Sequence, residues 1–579
     1  MTSTLWVAVI IAFAALPVFG RLQRRVQLSR AKHRSIGGHA RISKRLARLL
    51  PHYEYDELAA FDCDGADAEL AARRRDGFRR LAETLAVRSA SNRALTSDVQ
   101  GSVSDLQFTD AYRVPFQFRG LVQKALATGS FALESDDERI RDADGNWSYD
   151  LSGAYGVNLL GYDFYRNSIR RAVDKAEALG PVLGPYHPIV TENVRAIRSL
   201  SGMDEVSFHM SGTEAVMQAV RLARYHTGRS RLVLFCGAYH GWWDGVQPGV
   251  GNPLPPRDVF MLTEMAPATL KVLATRDDIA CVLVNPLQAL HPNASASGDS
   301  MLVASDRSAG FDKTAYADWL RQLREVCTQR NIVLIFDEVF MGFRLAPGGA
   351  QEFFGVRADM VTYGKTIGGG LPVGVLAGKQ TLMKRFRDDR PTDICFARGT
   401  FNSHPYVMTA MNEFLEIATS AEFREESAAA EALWNRRAAA MNEALAQADL
   451  PIAVRNMLSV WTVVYTRPGR FNWMLQFYLR AAGLHLSWVG TGRFIFSHRL
   501  SDAAFADILQ RFIEAARRMQ KDGFFDAPPG LTNQSIKRQV LRELVSARWP
   551  GLRRRPPRRR ARRDTSDQAI GPSSGRTAT

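Results

Sequence analysis

Tyr363-Gly364-Lys365-Thr366-Ile367-Gly368-Gly369-Gly370-Leu371-Pro372 decides how the rest of the chain is read. Its lysine stands between an apolar run, Met360-Val361-Thr362-Tyr363, and three consecutive glycines. That is the composition of a strand ending in a loop that passes close to something bound. A lysine beside glycines is ordinarily a solvated turn residue. The upstream run Ile332-Val333-Leu334-Ile335-Phe336-Asp337-Glu338-Val339 changes the weighting, because it is a buried-strand pattern that ends in a carboxylate. Such a carboxylate is costly to bury unless a cation faces it. A lysine able to form an imine and an aspartate able to pair with a protonated ring nitrogen are the two protein groups that pyridoxal 5'-phosphate requires.

The same texture recurs on both sides. Strand-like runs at Val206 to Met210, Arg231 to Phe235, Ile279 to Val284, Ile332 to Phe336 and Met360 to Tyr363 alternate with amphipathic helical segments. This predicts an α/β fold with a mostly parallel sheet covered by helices on both faces. Ligands of such sheets collect at the carboxyl ends of the strands. After the first run, Ser211-Gly212-Thr213-Glu214-Ala215 opens a helix expected over 215–225. A glycine and a hydroxyl at a helix N-terminus offer donors to a phosphate, although a plain Ser/Thr cap accounts for them equally. After the second run, Gly237-Ala238-Tyr239-His240-Gly241-Trp242-Trp243-Asp244-Gly245 carries an aromatic that could lie flat on a planar ring. After the third, Asn285-Pro286-Leu287-Gln288 brings amides towards the same edge.

The net charge of +16 over 579 residues suggests nucleic acid until it is located. Residues 21 to 48 carry ten Lys or Arg and no acid, and residues 553 to 563 carry eight Arg and no acid. These eighteen charges exceed the whole excess, so the body is close to neutral and no nucleic-acid partner is expected. The basic ends read as a membrane-surface feature. Five scattered cysteines (Cys63, Cys236, Cys281, Cys327, Cys395) lack metal-ligand spacing, so no metal site is expected.

Residues 1–20, MTSTLWVAVIIAFAALPVFG, contain no charged side chain and reach about the minimum length of a bilayer span. The basic residues follow this stretch, which predicts a single-pass anchor in the inner (cytoplasmic) membrane with the enzyme in the cytoplasm. Residues 21–114 read as a basic juxtamembrane segment and helical arm. Residues 115–200 read as the first part of a small domain and the entry to the core, 201–420 as the large cofactor domain, and 421–526 as a C-terminal small domain. Residues 527–579 are Pro-, Arg- and Ser-rich and read as a disordered tail. The Ser/Ala/Gly-rich stretch 293–312 reads as a flexible loop.

Taken together, SGTEA (211–215), YHGWWDG (239–245), DEVFMGFR (337–344), YGKTIGGGLPVG (363–374) and RGTF (398–401) resemble the class III, fold type I pyridoxal-phosphate aminotransferases. The likeness is greatest to glutamate-1-semialdehyde aminomutase and to the aminotransferase domains of polyketide and nonribosomal peptide synthases, and it runs from about residue 115 to about 526. It implies a fold type I transferase with a large, mostly parallel sheet domain and a smaller α+β domain, here preceded by the N-terminal membrane helix.

The resemblance assigns roles residue by residue. Lys365 would hold the cofactor covalently and then shuttle a proton. Asp337 would keep the pyridine nitrogen protonated. Gly212 and Thr213 would bind the phosphate, Tyr239 and Val339 would cover the two ring faces, and Gln288 would lie near the ring hydroxyl. Thr400 would reach the phosphate of a neighbouring subunit, implying a homodimer. The family commonly has Glu-Pro where this chain has Asn285-Pro286. The expected reaction is transamination of a keto or aldehyde group on a hydrophobic or acyl-carrier-bound substrate with an amino-acid donor. The alternatives are an aminomutase-type internal transfer and, from another class, an inactive scaffold at the membrane. Arg344, Arg398 and Arg493 are all candidates for a substrate carboxylate.

Overall fold

A computed structural model of the chain describes residues 19–34, 38–111, 114–293, 309–487 and 492–549. Its centre is a seven-stranded sheet made of β1 (Glu205–His209), β2 (Arg231–Phe235), β3 (Val259–Leu262), β4 (Ile279–Val284), β5 (Val333–Asp337), β6 (Met360–Gly364) and β7 (Gly374–Gly378). The spatial order is β1-β7-β6-β5-β4-β2-β3. All strands point the same way except β7, which pairs antiparallel with both β6 and β1. Strands β4 to β7 are buried along their whole length, as expected where helices cover both faces of a parallel sheet.

The five runs read from the sequence become β1, β2, β4, β5 and β6, each within a residue of its expected bounds. Two strands escaped that reading. The β3 run Val259-Phe260-Met261-Leu262 is short. The β7 run Gly374-Val375-Leu376-Ala377-Gly378 begins and ends in glycine, a residue that ordinarily weakens strands. Here the first glycine has a packing reason: a Cβ on Gly374 would sit 1.9 Å from the Ser211 carbonyl oxygen. The helix Gly212–Thr227 that follows β1 is capped by Ser211, whose Oγ accepts from the Glu214 N–H at 3.2 Å, and it ends at left-handed Gly228.

The smaller layer is built from both sides of this unit. Strands Ala132–Ser135, Arg139–Asp142 and Trp147–Asp150 form an antiparallel set, turned at Gly145 and extended by Leu484–His485. Strands Ile452–Met457, Val460–Tyr465 and Arg493–Ile495 form a second small sheet. Helices Ala421–Gln447 and Asp502–Lys521 pack against it around Trp434, Trp461 and Phe496.

The arm is largely helical, as expected, in Ala40–Ala47, Glu57–Asp62, Ala68–Arg88, Ala90–Gln100 and Ser104–Ala111, and it is fastened to the small domain. Arg74 is buried, donates to the Gly523 and Asp526 carbonyls at 3.1 and 2.8 Å, and stacks on Phe471. The disordered reading of 527–579 is corrected over part of its length: Asn533–Arg548 is a helix opened by a Thr532/Ser535 capping box. Its Glu543 accepts from the hydroxyls of Tyr55 at 2.6 Å and Tyr53 at 2.9 Å, and pairs with Arg470 at 3.1 Å. Arg470 is itself 1% exposed and pairs with buried Asp64 at 2.6 Å. The preceding prolines and the basic composition hid this helix, whose long-range contacts to Tyr53, Tyr55 and Arg470 are not visible in local sequence.

Of the expected membrane span, residues 1–18 lie outside the described residues. Among the described residues no helix is long and apolar enough to cross a membrane. Residues 294–308 of the expected polar loop likewise lie outside them. All five cysteines are buried thiols.

Candidate active site

The carboxyl ends of β1, β2, β4, β5 and β6 open on one edge of the sheet, and the sequence-predicted residues gather there. Asp337 is the last residue of β5 and is 4% exposed. Its Oδ2 lies 2.7 Å from His240 Nδ1, and its Oδ1 accepts from the Val339 N–H at 3.2 Å and the Thr362 hydroxyl at 3.3 Å. Thr362 is the register partner of Asp337 on β6. The sequence reading assigned no role to His240. Its ring is buried and its Nε2 has no hydrogen-bond partner among the described residues, so the polar contact that orients it is the bond to Asp337.

Lys365 follows directly on β6 and has φ +51°, the left-handed region that lysine rarely adopts. This conformation costs on the order of 1 kcal/mol, and such outliers cluster at functional sites. Burial lowers the pKa of its amine, with Asp337 opposing that shift and Arg344 adding to it. The Nζ atom lies 5.9 Å from the centre of the Phe340 ring.

Facing both side chains is the loop Gly153–Gly156, in which four successive residues have positive φ. A Cβ on Gly156 would meet Phe340 at 2.7 Å and the Lys365 Cδ at 3.2 Å. The sequence reading missed this loop. The glycines at both ends of Gly-Ala-Tyr-Gly were its only signal.

The helix N-terminus after β1 supplies the opposite end of the site. Glu214 and Ala215 have their N–H groups bonded to Ser211, whereas those of Gly212 and Thr213 have no acceptor among the described residues. Val339 packs between this helix and the lysine loop: a Cβ on Gly212 would lie 2.6 Å from Val339 Cγ1, and one on Gly364 would lie 3.1 Å from the same atom. Gly241 packs on Thr213 in the same manner, since its Cβ would meet the Thr213 hydroxyl at 2.6 Å. Tyr239 is 61% exposed, with its carbonyl held by Asn285 Nδ2 at 2.9 Å. Gln288 is buried and donates to the Cys236 carbonyl at 3.2 Å.

Lys365, Asp337, Gly212, Thr213, Tyr239, Val339 and Gln288 thus lie at the carboxyl edge of one sheet. Thr400 does not join them; it is exposed on the surface between exposed Phe396 and Phe401.

The three candidate arginines separate. Arg344 is 1% exposed and spends its guanidinium on the Phe496 and Asn158 carbonyls, both at 2.7 Å, and on Ser459 Oγ at 3.1 Å. Burial without a carboxylate partner lowers its pKa to about 10. It ties the small domain to the loop facing Lys365 and is not available to a substrate. Arg493 meets His291 Nε2 at 2.6 Å, and Arg398 is exposed.

A lysine in a strained backbone conformation, a buried acid held by a buried imidazole, and a helix N-terminus with open N–H groups fit a phosphate-bearing pyridine aldehyde in charge, donor type and order. The profile of the family described as aminotransferase class-III matches residues 123–516. The chain belongs to the class-III aminotransferases. This class-III enzyme is 33% identical over 340 residues to a glutamate-1-semialdehyde 2,1-aminomutase of Nitratidesulfovibrio vulgaris, covering 58% of this chain and 77% of that one. It is 34% identical over 342 residues to the enzyme of the same name from Methanococcus vannielii, covering 56% and 73%.

Among solved structures, a glutamate-1-semialdehyde aminomutase from Pseudomonas aeruginosa superposes with a TM-score of 0.63 at 17% identity over 77% of this chain and 99% of that one. A β-phenylalanine aminotransferase from Variovorax paradoxus superposes with a TM-score of 0.60 at 24% identity over 78% and 98%. At those identities the superpositions show the fold alone. The class-III enzyme uses pyridoxal 5'-phosphate.

Proposed function

We propose that this class-III enzyme transfers an amino group from an amino-acid donor to a keto or aldehyde carbon of a hydrophobic or acyl-carrier-bound substrate. The observation that carries the reading is the placement of Lys365, in a strained backbone conformation, beside the buried Asp337–His240 pair. Pyridoxal 5'-phosphate supplies the electron sink that stabilises a carbanion.

The chain's own residues do the rest. Lys365 would hold the cofactor through Nζ and would move a proton at the reacting substrate carbon; its lowered pKa favours the neutral amine that this needs. Asp337 would keep a proton on the ring nitrogen, and His240, together with the bonds from Val339 and Thr362, holds the carboxylate in one rotamer. The open N–H groups of Gly212 and Thr213 take the phosphate at the positive end of the helix. Tyr239 and Val339 would cover the ring faces, and Gln288 would lie on the side of the ring hydroxyl. Thr400, flanked by exposed Phe396 and Phe401, belongs to the site of a second copy in a homodimer.

Internal amino transfer is the second reading, supported by the names of the aminomutase relatives. Incubating the purified holoenzyme with glutamate and other amino acids separates the two. An absorbance change from the pyridoxal to the pyridoxamine form is expected for at least one donor; if no external amino acid produces it, the transferase reading fails. An inner-membrane anchor at 1–20 with the enzyme on the cytoplasmic side belongs to the same proposal. A reporter fused after Thr579 is expected to behave as cytoplasmic, and a periplasmic signal refutes the orientation.

A further inference from the structure

Far from Lys365 in the chain, the N-terminal segment closes a second site against the outer edge of the sheet. Helix 19–31 runs into Lys32, which forms an isolated bridge with Leu262 at the end of β3, and the Thr263 N–H donates to the Ala31 carbonyl at 2.8 Å. Helix Ala40–Ala47 then folds back, held by a bond from Lys44 Nζ to the Leu254 carbonyl at 2.7 Å. Between these helices and β3 lies a cavity of about 840 Å³.

Six Arg or Lys side chains line it: Arg25, Lys32, Arg41, Arg231, Arg257 and Arg276. Two of them are neutralised at the back wall. Arg276 pairs with Asp278 at 2.8 Å and stacks on Phe260, and Arg231 sits between Asp258 at 3.5 Å and Asp278 at 3.4 Å. The other four, Arg25, Lys32, Arg41 and Arg257, have no ion-pair partner among the described residues. Lys32 is half-buried, and its pKa is lowered by that burial and then by Arg41. The lining holds a single carboxylate, Asp258. Leu28, Val259 and Met261 add apolar surface.

Arg25, Arg41 and Arg257 are exposed at the rim and Lys32 is half-buried, so the four line one open concavity without a carboxylate of their own, and their mutual repulsion favours an anion there. Three guanidinium forks and an ammonium suit the several oxygens of a phosphate, and the apolar side suits the carbon skeleton it is attached to. We propose that this cavity binds a phosphate-bearing anion, presented by an acidic phospholipid head group or by a soluble phosphate ester. The helix over the cavity follows directly on the uncharged stretch 1–20, which is the reason to include the lipid source.

The test is calorimetric titration of the full-length holoenzyme in neutral detergent with dihexanoyl phosphatidylglycerol, inorganic phosphate and hexanoate at matched ionic strength. Saturable binding of a phosphate-bearing probe is expected. Arg41→Gln/Arg257→Gln weakens it about ten-fold or more, whereas Arg41→Lys/Arg257→Lys loses less. Asp258→Asn is expected to tighten it about three-fold, a gain that a misfolded variant cannot produce. Tighter binding of phosphatidylglycerol than of phosphate assigns the lipid source, and equal binding assigns the soluble one. The proposal is overturned if neither phosphate probe saturates, if hexanoate binds as well as phosphatidylglycerol, if the double glutamine variant keeps its affinity, or if Asp258→Asn weakens binding.

Discussion

Gly212→Ala is the most direct test of how the cofactor seat is built. An alanine Cβ at this position would lie 2.6 Å from Val339 Cγ1, 2.9 Å from Cγ2 and 3.4 Å from Cβ. Carbon atoms pack at about 3.5 Å or more, so something must move by about 1 Å. Val339 is β-branched, stiff at χ1, and backed by Gly364, so rotation offers little relief. The helix N-terminus must therefore retreat, and the open N–H groups of Gly212 and Thr213 retreat with it. Overpacking of this size costs about 1–3 kcal/mol. Since the displaced groups are the proposed phosphate donors, cofactor affinity should fall roughly 10- to 100-fold.

The assay is absorbance titration of the apoprotein with pyridoxal 5'-phosphate, paired with thermal melting. Val339→Ala alone loses packing worth about 1 kcal/mol. The double variant removes the clash and should bind better than Gly212→Ala, giving a coupling energy of about 1 kcal/mol or more. The reasoning is refuted if Gly212→Ala binds within two-fold of the parent, or if adding Val339→Ala gives no recovery.

Other expectations follow from neighbouring residues. Lys365→Ala should abolish the visible absorbance of bound cofactor and the amino transfer; an unchanged spectrum excludes it as the attachment lysine. Asp337→Asn should lower kcat by at least about 100-fold, and His240→Phe by less, because the acid keeps its bonds from Thr362 and Val339; equal losses would mean that His240 does more than orient the acid.

Burial raises the Glu338 carboxyl from an ordinary value of 4.5 to about 8. The folded protein thus holds a proton that the unfolded chain releases, so this contribution is fully present below about pH 4.5 and is lost as pH rises through about 8. Glu338→Gln should therefore raise the melting temperature at pH 8.5 relative to the parent and leave it unimproved at pH 4.5. Glu543→Gln weakens the partner of buried Arg470 and should destabilise by about 1–3 kcal/mol in denaturant melts; no change would mean the C-terminal helix is not fastened by that pair.

The sheet and the seat at its carboxyl edge were legible because their signals are local. A buried strand needs a continuous apolar run, and Asp337 and Lys365 stand at the ends of two such runs, where a charge demands a partner. His240 was not legible: its role depends on a bond across 97 positions of sequence to Asp337. Tyr155 and Gly156 escaped for the same reason, since only the folded backbone shows Gly156 lying against Phe340 and Lys365. Strand β7 was obscured by glycines that look like loop residues until the Ser211 carbonyl is seen where a side chain would stand. Arg344 illustrates the opposite error. Its type suited a substrate carboxylate, but its hydrogen bonds are spent on carbonyls and a hydroxyl that hold two layers together.

The reversed strand β7 has a consequence for how the enzyme can move and change. Gly374 is paired at once with Gly364, next to the lysine, and with His209, next to the helix that offers its N–H groups. The lysine end and the helix end of the proposed seat are therefore sewn into one three-stranded piece. No hinge runs between them. The Arg344 contacts join the small domain to the loop facing Lys365 and not to these strands, so the spacing between the two ends follows from strand register. The substrate range of such an enzyme is free to drift without loosening its hold on the cofactor.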